Sequence, residues 1–347
     1  MTAGRQDGGL AVSPRARLTR ARLAKALGVL ALIAVGAAAL GLLIGAVPLD
    51  AAAILSSAGT DRVIFLQVRL PRVLLAAIVG AALAVSGAAL QPTLRNPLAS
   101  PDIIGVSGGA ALAAVTALAL LEPGRSEWLV PIAAFIGAGL SSALVYRLSL
   151  VRGRLEPYTQ ILIGVIFNTF AASLILLISA VVDLARSHSI VFWLMGGIAV
   201  HPYPVLALVA ALVAVGTAVL VRESRTLDLL ALGDETAEHL GVDLGASRRR
   251  VFAAASLMVG AVVALTGIIT FVGLIVPHML RRVLGSDNRL LVPAAAFAGA
   301  AFLVLCDAVA RRAIAPAELP VGAITAMTGG PFFIYLLRRN TARGRDL

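Results

Sequence analysis

Three arginines stand beside apolar segments at two places far apart in the chain: Arg69 and Arg72 at one, and Arg311 at the other. A guanidinium group presents a planar fork of N–H donors, so it can pair with a carboxylate through two hydrogen bonds. These side chains are therefore candidates to bind acidic groups of a partner protein. They could equally extend to lipid headgroups, or pair with Asp307 and Glu318 of the same chain.

The residue patterns of most enzymes and nucleotide-binding proteins are missing from the sequence. Lys25 is the only lysine, so there is no phosphate loop of the form G-x-x-x-x-G-K-[ST]. Cys306 is the only cysteine and cannot form an intrachain disulfide or a paired-cysteine metal site. We therefore expect no enzyme, no metal site and no cofactor in this chain. Any ATP and Mg²⁺ that drive its function must be bound by a partner subunit.

Composition places the elements that hold these side chains in a membrane. Of the 347 residues, 59% are hydrophobic and 14% are charged, which is more apolar surface than a soluble core of ordinary composition buries. The net charge of +11 would suit nucleic acid in a soluble protein, but here the arginines lie between apolar runs. The sequence predicts a multi-pass protein of the cell membrane, in contact with lipid and without a nucleic-acid partner.

Apolar segments recur along the chain, each near the length of about 20 residues that a helix needs to cross the hydrocarbon core. The pair around Gly267 to Gly273 is the least regular, because the glycines there could kink one irregular pair of helices. We predict an all-α integral membrane fold of about ten transmembrane helices. The ten segments lie at 25–47, 71–91, 103–121, 128–149, 157–182, 203–221, 251–268, 269–284, 290–308 and 320–338.

The distribution of basic residues predicts the orientation. With the N-terminal tail inside, 22 of the 29 Lys and Arg lie in cytoplasmic segments and 7 lie in outer segments. This positive-inside bias supports ten spans with both termini cytoplasmic. We expect a basic, disordered cytoplasmic tail over residues 1–24, a transmembrane domain over 25–339 and a short cytoplasmic tail over 340–347.

A possible internal sequence repeat relates the second and seventh segments. Residues 79–87 read VGAALAVSG and residues 259–267 read VGAVVALTG, with five of the nine positions identical. The same offset relates Pro97 to Pro277. An odd number of spans separates the copies, so they would run in opposite directions, as the inverted repeats of transporters do. Chance similarity between helices rich in alanine and valine is the alternative.

Three stretches resemble the FecCD family of ABC importer permeases, which carry iron chelates, haem and vitamin B12 inward. Residues 69–109 combine RLPR with NPLASPDIIGVSGG, residues 271–282 read FVGLIVPHMLRR, and residues 318–339 read ELPVGAITAMTGGPFFIYLLRR. The resemblance covers residues 40–338. It implies a type II importer in which a second permease subunit, identical or paralogous, two ATP-binding subunits and an extracytoplasmic substrate-binding lipoprotein assemble with this chain.

The resemblance implies roles for particular residues. Arg69, Arg72 and Arg311 match the positions at which family members receive glutamates of the binding protein. Asn96 and Leu98, in the motif that follows the second span, match the residues that narrow the pathway at its cytoplasmic end. A plain turn between helices is the alternative, because Pro97 prevents the helix from continuing.

The inner segment 222–250 is the longest polar insertion. Leu232, Thr236 and Leu240 recur in it at helical spacing, which predicts a short amphipathic helix. The resemblance implies a coupling element of two short helices that dock in a groove of the ATPase subunit; a solvated hairpin is the alternative. The residues assigned to this contact are Gly233, Asp234, Glu235, Thr236, Leu240 and Gly241.

A few polar side chains lie within the predicted spans. Gln160, Asn168 and Ser107 are candidates to line a path for a polar chelate. Hydrogen bonds between helices and close helix packing are the alternatives. His278 lies beside Pro277 in a family motif, and we interpret it as a structural residue rather than a proton relay or metal ligand.

The sequence thus predicts a permease subunit that imports an iron(III)-siderophore by alternating access, with haem and vitamin B12 as other cargoes of the family. An ion-coupled secondary transporter with inverted repeats is the alternative function. That alternative predicts carboxylates buried in the middle of spans, whereas the acidic residues here lie at span ends or in loops.

Overall fold

The computed structural model describes residues 19–45, 60–122, 126–315 and 317–341. The described chain is helical apart from one short hairpin, in which β1 (Leu150–Val151) pairs with β2 (Arg154–Leu155). The second helix, α2, contains a π-helical turn at Phe65–Arg69. The helices are α1 Arg20–Leu43, α2 Thr60–Thr93, α3 Val106–Leu120, α4 Ser126–Leu148, α5 Pro157–Val181, α6 Leu184–Leu194, α7 Tyr203–Arg222, α8 Ser224–Leu230, α9 Asp234–His239, α10 Leu244–Thr266, α11 Val272–Leu284, α12 Asn288–Arg312 and α13 Val321–Thr341.

Seven of these helices are long and apolar enough to cross a membrane, namely α1, α2, α4, α5, α7, α10 and α12. The other three predicted spans coincide with α3, α11 and α13. At a rise of about 1.5 Å per residue, the 13 residues of α11 cannot cross the membrane alone. The predicted all-α membrane fold of about ten helices is confirmed.

Several predicted boundaries are wrong, because polar caps rather than hydropathy determine where the helices begin. Helix α10 begins at Leu244 rather than at 251, and the side chain of its N-cap, Asp243, accepts a hydrogen bond from the amide of Ala246 at 3.0 Å. The basic residues 248–250, assigned to the loop, are therefore helical. Helix α1 begins at Arg20 after the N-cap Thr19, inside the segment expected to be a disordered tail. The rest of the predicted tails, 1–18 and 342–347, lies outside the described residues.

Helix α2 lies at the centre of the fold and packs against α7, α10, α11 and α12. Its contact with α12 is made through glycines: a Cβ on Gly80 would lie 2.1 Å from the carbonyl oxygen of Gly299, and a Cβ on Gly299 would lie 2.2 Å from that of Gly80. Small residues of this kind let helix backbones approach closely in membranes. In contrast, α1 and α5 bury little of their apolar surface within the chain, so they face lipid or a partner.

The irregular segment between α10 and α11 is a break in the helix. Gly267 and Phe271 have φ values of +68° and +67°, and the residues between them belong to no helix or strand. A Cβ on Gly267 would lie 2.0 Å from the carbonyl oxygen of Trp193 in α6, so a glycine is required there. The break therefore brings α6, which hydropathy did not predict, against the junction of α10 and α11.

Candidate functional site

The outer arginine cluster is built around one carboxylate of α12. Asp307, which is 1% exposed, accepts two hydrogen bonds at Oδ1 from Arg72, at 3.1 Å from Nε and 3.0 Å from Nη2. The Nη1 of Arg72 lies 2.6 Å from Glu318. On the other side, Nε of Arg311 lies 2.9 Å from Oδ2 of Asp307. Its N–H is not aimed at that oxygen, so this contact is an ion pair rather than a hydrogen bond.

Two arginines of this cluster cap the C-terminal end of α1. Arg69 donates to the carbonyl oxygens of Leu42 and Leu43 at 2.8 and 3.1 Å. Arg311 donates to those of Gly41 and Ile44 at 2.8 and 2.6 Å. The last carbonyls of a helix lack partners within the helix and carry a partial negative charge, so cations are stabilising there. The sequence did not reveal this role, because the partners are distant along the chain.

The structure therefore places the three predicted docking arginines inside the protein to different degrees. Arg69 and Arg311 are only 5% and 3% exposed, whereas the side chain of Arg72 is 13% exposed. Arg312, one residue beyond Arg311, is exposed. The internal pairing with Asp307 and Glu318 that the sequence left open is present. Docking of a binding protein on Arg69, Arg72 and Arg311 stays a prediction.

The predicted gate residues lie in a tight turn at the end of α2. Arg95 has a φ of +48°, and the amide of Asn96 donates back to the carbonyl of Gln91 at 3.1 Å. The side chain of Asn96 accepts a hydrogen bond from the amide of Leu98 at 2.9 Å, and the amide of Ala99 donates to the carbonyl of Asn96 at 3.0 Å. These bonds make residues 95–99, which we call the gate turn, a stiff unit. Its gating role is not tested by this geometry.

Two of the three pathway candidates meet at a residue that the sequence analysis did not single out. The hydroxyl of Ser107 donates to Oδ1 of Asp102 at 2.9 Å, and Nδ2 of Asn168 donates to the carbonyl oxygen of Asp102 at 2.7 Å. The Oδ1 of Asn168 is buried and accepts no hydrogen bond from a described residue. Gln160 is 1% exposed. These side chains face the interior of this chain, and a role in lining the pathway stays a prediction.

Asp102 lies in the 3₁₀ turn Pro101–Ile104, in the connection between α2 and α3. Asp102 is half-buried. This burial disfavours the charged form and raises the pKa of Asp102 to about 6, against the hydrogen bond from Ser107, which lowers it. The turn before α3 therefore contains an acid that titrates near neutral pH.

The inner segment contains the two short helices that the resemblance implies, α8 and α9. Gly233 and Gly241, with φ values of +111° and +85°, bound α9 on its two sides. Ala237 is fully buried, whereas Leu232 and Leu240 are 63% and 60% exposed. Glu235 and Thr236 are exposed as well. The segment therefore has exposed leucines and exposed acidic side chains on the surface of the fold. Its contact with an ATPase stays a prediction.

His278, in α11, is half-buried, and its Nε2 atom is buried. Its ring lies edge-on to that of Phe333, with 6.2 Å between the ring centroids, and its Nε2 has no hydrogen-bond partner among the described residues. The described ranges contain no group of three or more His, Cys, Asp or Glu that could hold a metal ion. The interpretation of His278 as a structural residue stays a prediction.

Comparisons with known proteins agree with this architecture. The profile of the FecCD transport family matches residues 31–339. The cobalamin import system permease protein BtuC of Halobacterium salinarum is 42% identical over 285 residues, which are 82% of this chain and 76% of that protein. The hemin transport system permease protein HmuU of Yersinia pestis is 37% identical over 279 residues, 80% of this chain and 83% of that protein. A solved ABC transporter assigned to the metal-chelate type, in an inward-facing conformation, superposes with a TM-score of 0.81 at 33% identity and covers 91% of this chain and 99% of that one.

Proposed function

Because the chain belongs to the FecCD transport family and is a membrane-embedded permease subunit of an ABC importer, we propose that it moves an iron(III)-siderophore into the cytoplasm. As a permease subunit it is a transport component without a catalytic ATP site of its own. Energy therefore enters through partner ATPase subunits, and the complete pathway requires a second permease subunit.

The names of the similar proteins support the coarser part of this proposal, the import of a metal chelate. One relative is a cobalamin permease, another is a hemin permease, and the solved neighbour is of the metal-chelate type. Cobalamin, hemin and ferric siderophores share one chemistry, a metal ion enclosed by a large organic ligand. We choose the ferric siderophore because it is the commonest cargo of the family that the sequence resembles.

The observation that carries the transport mechanism is the exposed face of α9 close to the gate turn. An ATPase that docks on Leu232 and Leu240 would bury apolar surface that otherwise faces water, which is favourable. Closure of two ATPase subunits would then move the α8–α9 segments of two permeases. Substrate would pass between the two permeases as the gate turn opens and closes, which is alternating access.

We propose that the binding protein, a lipoprotein outside the membrane, docks on the outer arginine cluster. Arg72 is the most exposed of the three predicted docking residues, and Glu318, its partner, is 41% exposed at the side chain. A carboxylate of the binding protein can exchange with Glu318, because Glu318 is the exposed member of this ion pair. Arg69 and Arg311 would support this contact by holding α1 and Asp307 in place.

The ion-coupled secondary transporter is the weaker function. It needs a carboxylate in the membrane that is free to bind a proton or cation. Asp307 is the buried acid within a described span, but Arg72 and Arg311 engage its two oxygens. The family assignment also favours an importer driven by ATP.

Uptake by the complete assembly tests the cargo. The chain would be reconstituted in proteoliposomes with its ATPase and binding protein, and a labelled ferric hydroxamate, a ferric catecholate, hemin and cobalamin would be offered separately. Accumulation of one of the ferric siderophores with ATP is the expected result. Accumulation of hemin or cobalamin alone would overturn the siderophore proposal and leave the permease assignment intact.

A further inference from the structure

Three connections on the cytoplasmic side meet at one carboxylate. Asp234, the first residue of α9, lies 2.6 Å from Nη2 of Arg248 in α10. The same oxygen, Oδ1, lies 3.7 Å from Nη2 of Arg95 in the gate turn. Arg248 also donates to the carbonyl oxygen of Leu155 in the hairpin at 3.0 Å. The segment that contains α8 and α9, residues 224–241, which we call the coupling segment, is thus joined to the gate turn through Asp234, and Arg248 joins Asp234 to the hairpin.

The two contacts of Asp234 differ in kind. Arg248 is 5% exposed at the side chain and its contact is short, so it holds α9 firmly against α10. The side chain of Arg95 is 44% exposed and its contact is longer. A partly solvated ion pair at that distance is weak and is easily broken and remade. Asp234 therefore has one permanent partner and one partner suited to change during a transport cycle.

Arg95 is well placed to move the gate turn. Arg95 directly precedes Asn96, and the hydrogen bond from the Leu98 amide to the Asn96 side chain keeps the turn stiff. A displacement of the Arg95 side chain would therefore shift Asn96 and Leu98 together. Along the chain, the helices α3 to α8 separate the gate turn from α9. The ion pair is therefore a direct contact between two segments that are far apart in sequence.

We propose that Asp234 is a positioning residue through which an ATPase docked on α9 moves the gate turn, with Arg95 as the receiving group. The proposal rests on the proposed function, since it needs the docked ATPase and the gate at Leu98. The proposal assigns binding of the ATPase and transfer of its movement to different residues of the coupling segment. Leu232 and Leu240 bind the ATPase, and Asp234 transfers the movement.

The test uses the intact permease and ATPase complex with a single reporter thiol. Leu98→Cys in a Cys306→Ser background is labelled with a maleimide with and without Mg-ATP. The reporter alone should label at rates that differ between the two conditions. Arg95→Gln should lose most of that difference, while the ATPase still copurifies and hydrolyses ATP. Arg95→Lys, which keeps the charge, should retain part of the difference.

The matched control is Arg222→Gln in the last turn of α7. Arg222 is also an exposed arginine, and its replacement should leave the labelling difference unchanged. An unchanged difference in Arg95→Gln would overturn the proposal, as would loss of ATPase copurification in that variant, since Arg95 would then act in docking. If the labelling rate of the reporter is the same with and without Mg-ATP even when Arg95 is intact, the gate assignment itself is contradicted, and the proposal with it.

Discussion

Arg281 donates a hydrogen bond from Nη2 to the carbonyl oxygen of Ala88 at 3.3 Å, across the contact between α11 and α2. Ala88 is the residue whose helical hydrogen bond is lost, because Pro92, four residues later, has no N–H to donate. The reciprocal hydrogen bond is also present. Pro277 has no N–H to donate to the carbonyl oxygen of Gly273 in α11, and Nε2 of Gln91 in α2 donates to that oxygen at 3.3 Å.

This exchange depends on a close approach of the two helices. A Cβ on Gly87 would lie 1.8 Å from the carbonyl oxygen of Gly273, so only a glycine fits at this crossing. Arg281 also donates through Nη1 to Oε1 of Gln91, which links the two exchanged bonds. Each proline-containing helix therefore satisfies the carbonyl that the other helix leaves unpaired.

Replacing the donor tests this arrangement. Arg281→Met should lower stability by about 1–3 kcal/mol, because it leaves the buried carbonyl of Ala88 unsatisfied. Thermal unfolding of the purified protein in detergent measures the effect. Arg282→Met is the matched control, since Arg282 is exposed and next in sequence. Equal unfolding temperatures for the two variants would contradict the assignment.

The acid in the turn before α3 predicts a pH dependence of stability. The folded-state pKa of Asp102 is raised to about 6, so its contribution to stability is complete below the unfolded pKa and is lost as the pH rises through 6. Between pH 5 and pH 7 the wild type should lose about 1 kcal/mol from this group. Asp102→Asn keeps the acceptor for Ser107 and should lack that loss.

The free energy of unfolding of both proteins is measured at pH 5 and at pH 7. Subtracting the change with pH in Asp102→Asn from the change in the wild type removes the contribution of the titrating groups that both proteins share. A pH response in Asp102→Asn equal to that of the wild type would show that Asp102 is not the titrating group.

The outer cluster predicts different outcomes for its arginines. Arg72→Lys keeps the charge but loses the planar fork, so binding-protein affinity should fall by about 1.5–3 kcal/mol, the value of a hydrogen bond to a charged group. Arg311→Ala should instead lower the thermal stability of the permease, because the end of α1 loses its cap. Arg62→Lys, at an exposed outer position, is the control for affinity. Unaltered affinity at low salt in Arg72→Lys would remove Arg72 from the docking surface.

The exposed leucines of the coupling segment predict a loss of assembly without a loss of folding. Leu232→Ser with Leu240→Ser should weaken ATPase association by several kcal/mol, at about 1.5–3 kcal/mol for each leucine that an interface buries. Copurification of the ATPase measures this, and Val151→Ser in the hairpin is the control for another exposed apolar residue. A double variant that still copurifies with a full complement of ATPase would exclude these residues from the interface.

Most of the spans could be predicted from the sequence because they are long apolar runs. Helix α11, with 13 residues, was the least regular of the predicted segments because a break precedes it and it contains His278, Arg281 and Arg282. Helix α6 was missed since its composition is mixed, with charged and polar residues at 186–189. The hairpin was missed because its two strands have only two residues each.

Residue types identified the outer arginines and their possible carboxylate partners, Asp307 and Glu318, but not the helix end that two of these arginines cap. The caps on α1 join Arg69 to carbonyls 26 and 27 positions away in the sequence, and Arg311 to carbonyls 267 and 270 positions away. Asp102 likewise carries no local signal, since its partner Asn168 comes from α5. Contacts between distant segments depend on how the helices pack, and periodicity along one segment contains no information about that packing.

The source of energy for uptake tests the central claim most directly. Proteoliposomes that contain the permease, its ATPase and its binding protein would be loaded with Mg-ATP and offered the chelate that they accumulate, with a protonophore present or absent. The account predicts that uptake requires ATP hydrolysis and continues at the same rate when the proton gradient is collapsed. Uptake that persists without ATP, or that stops with the protonophore while ATP is held constant, would contradict it.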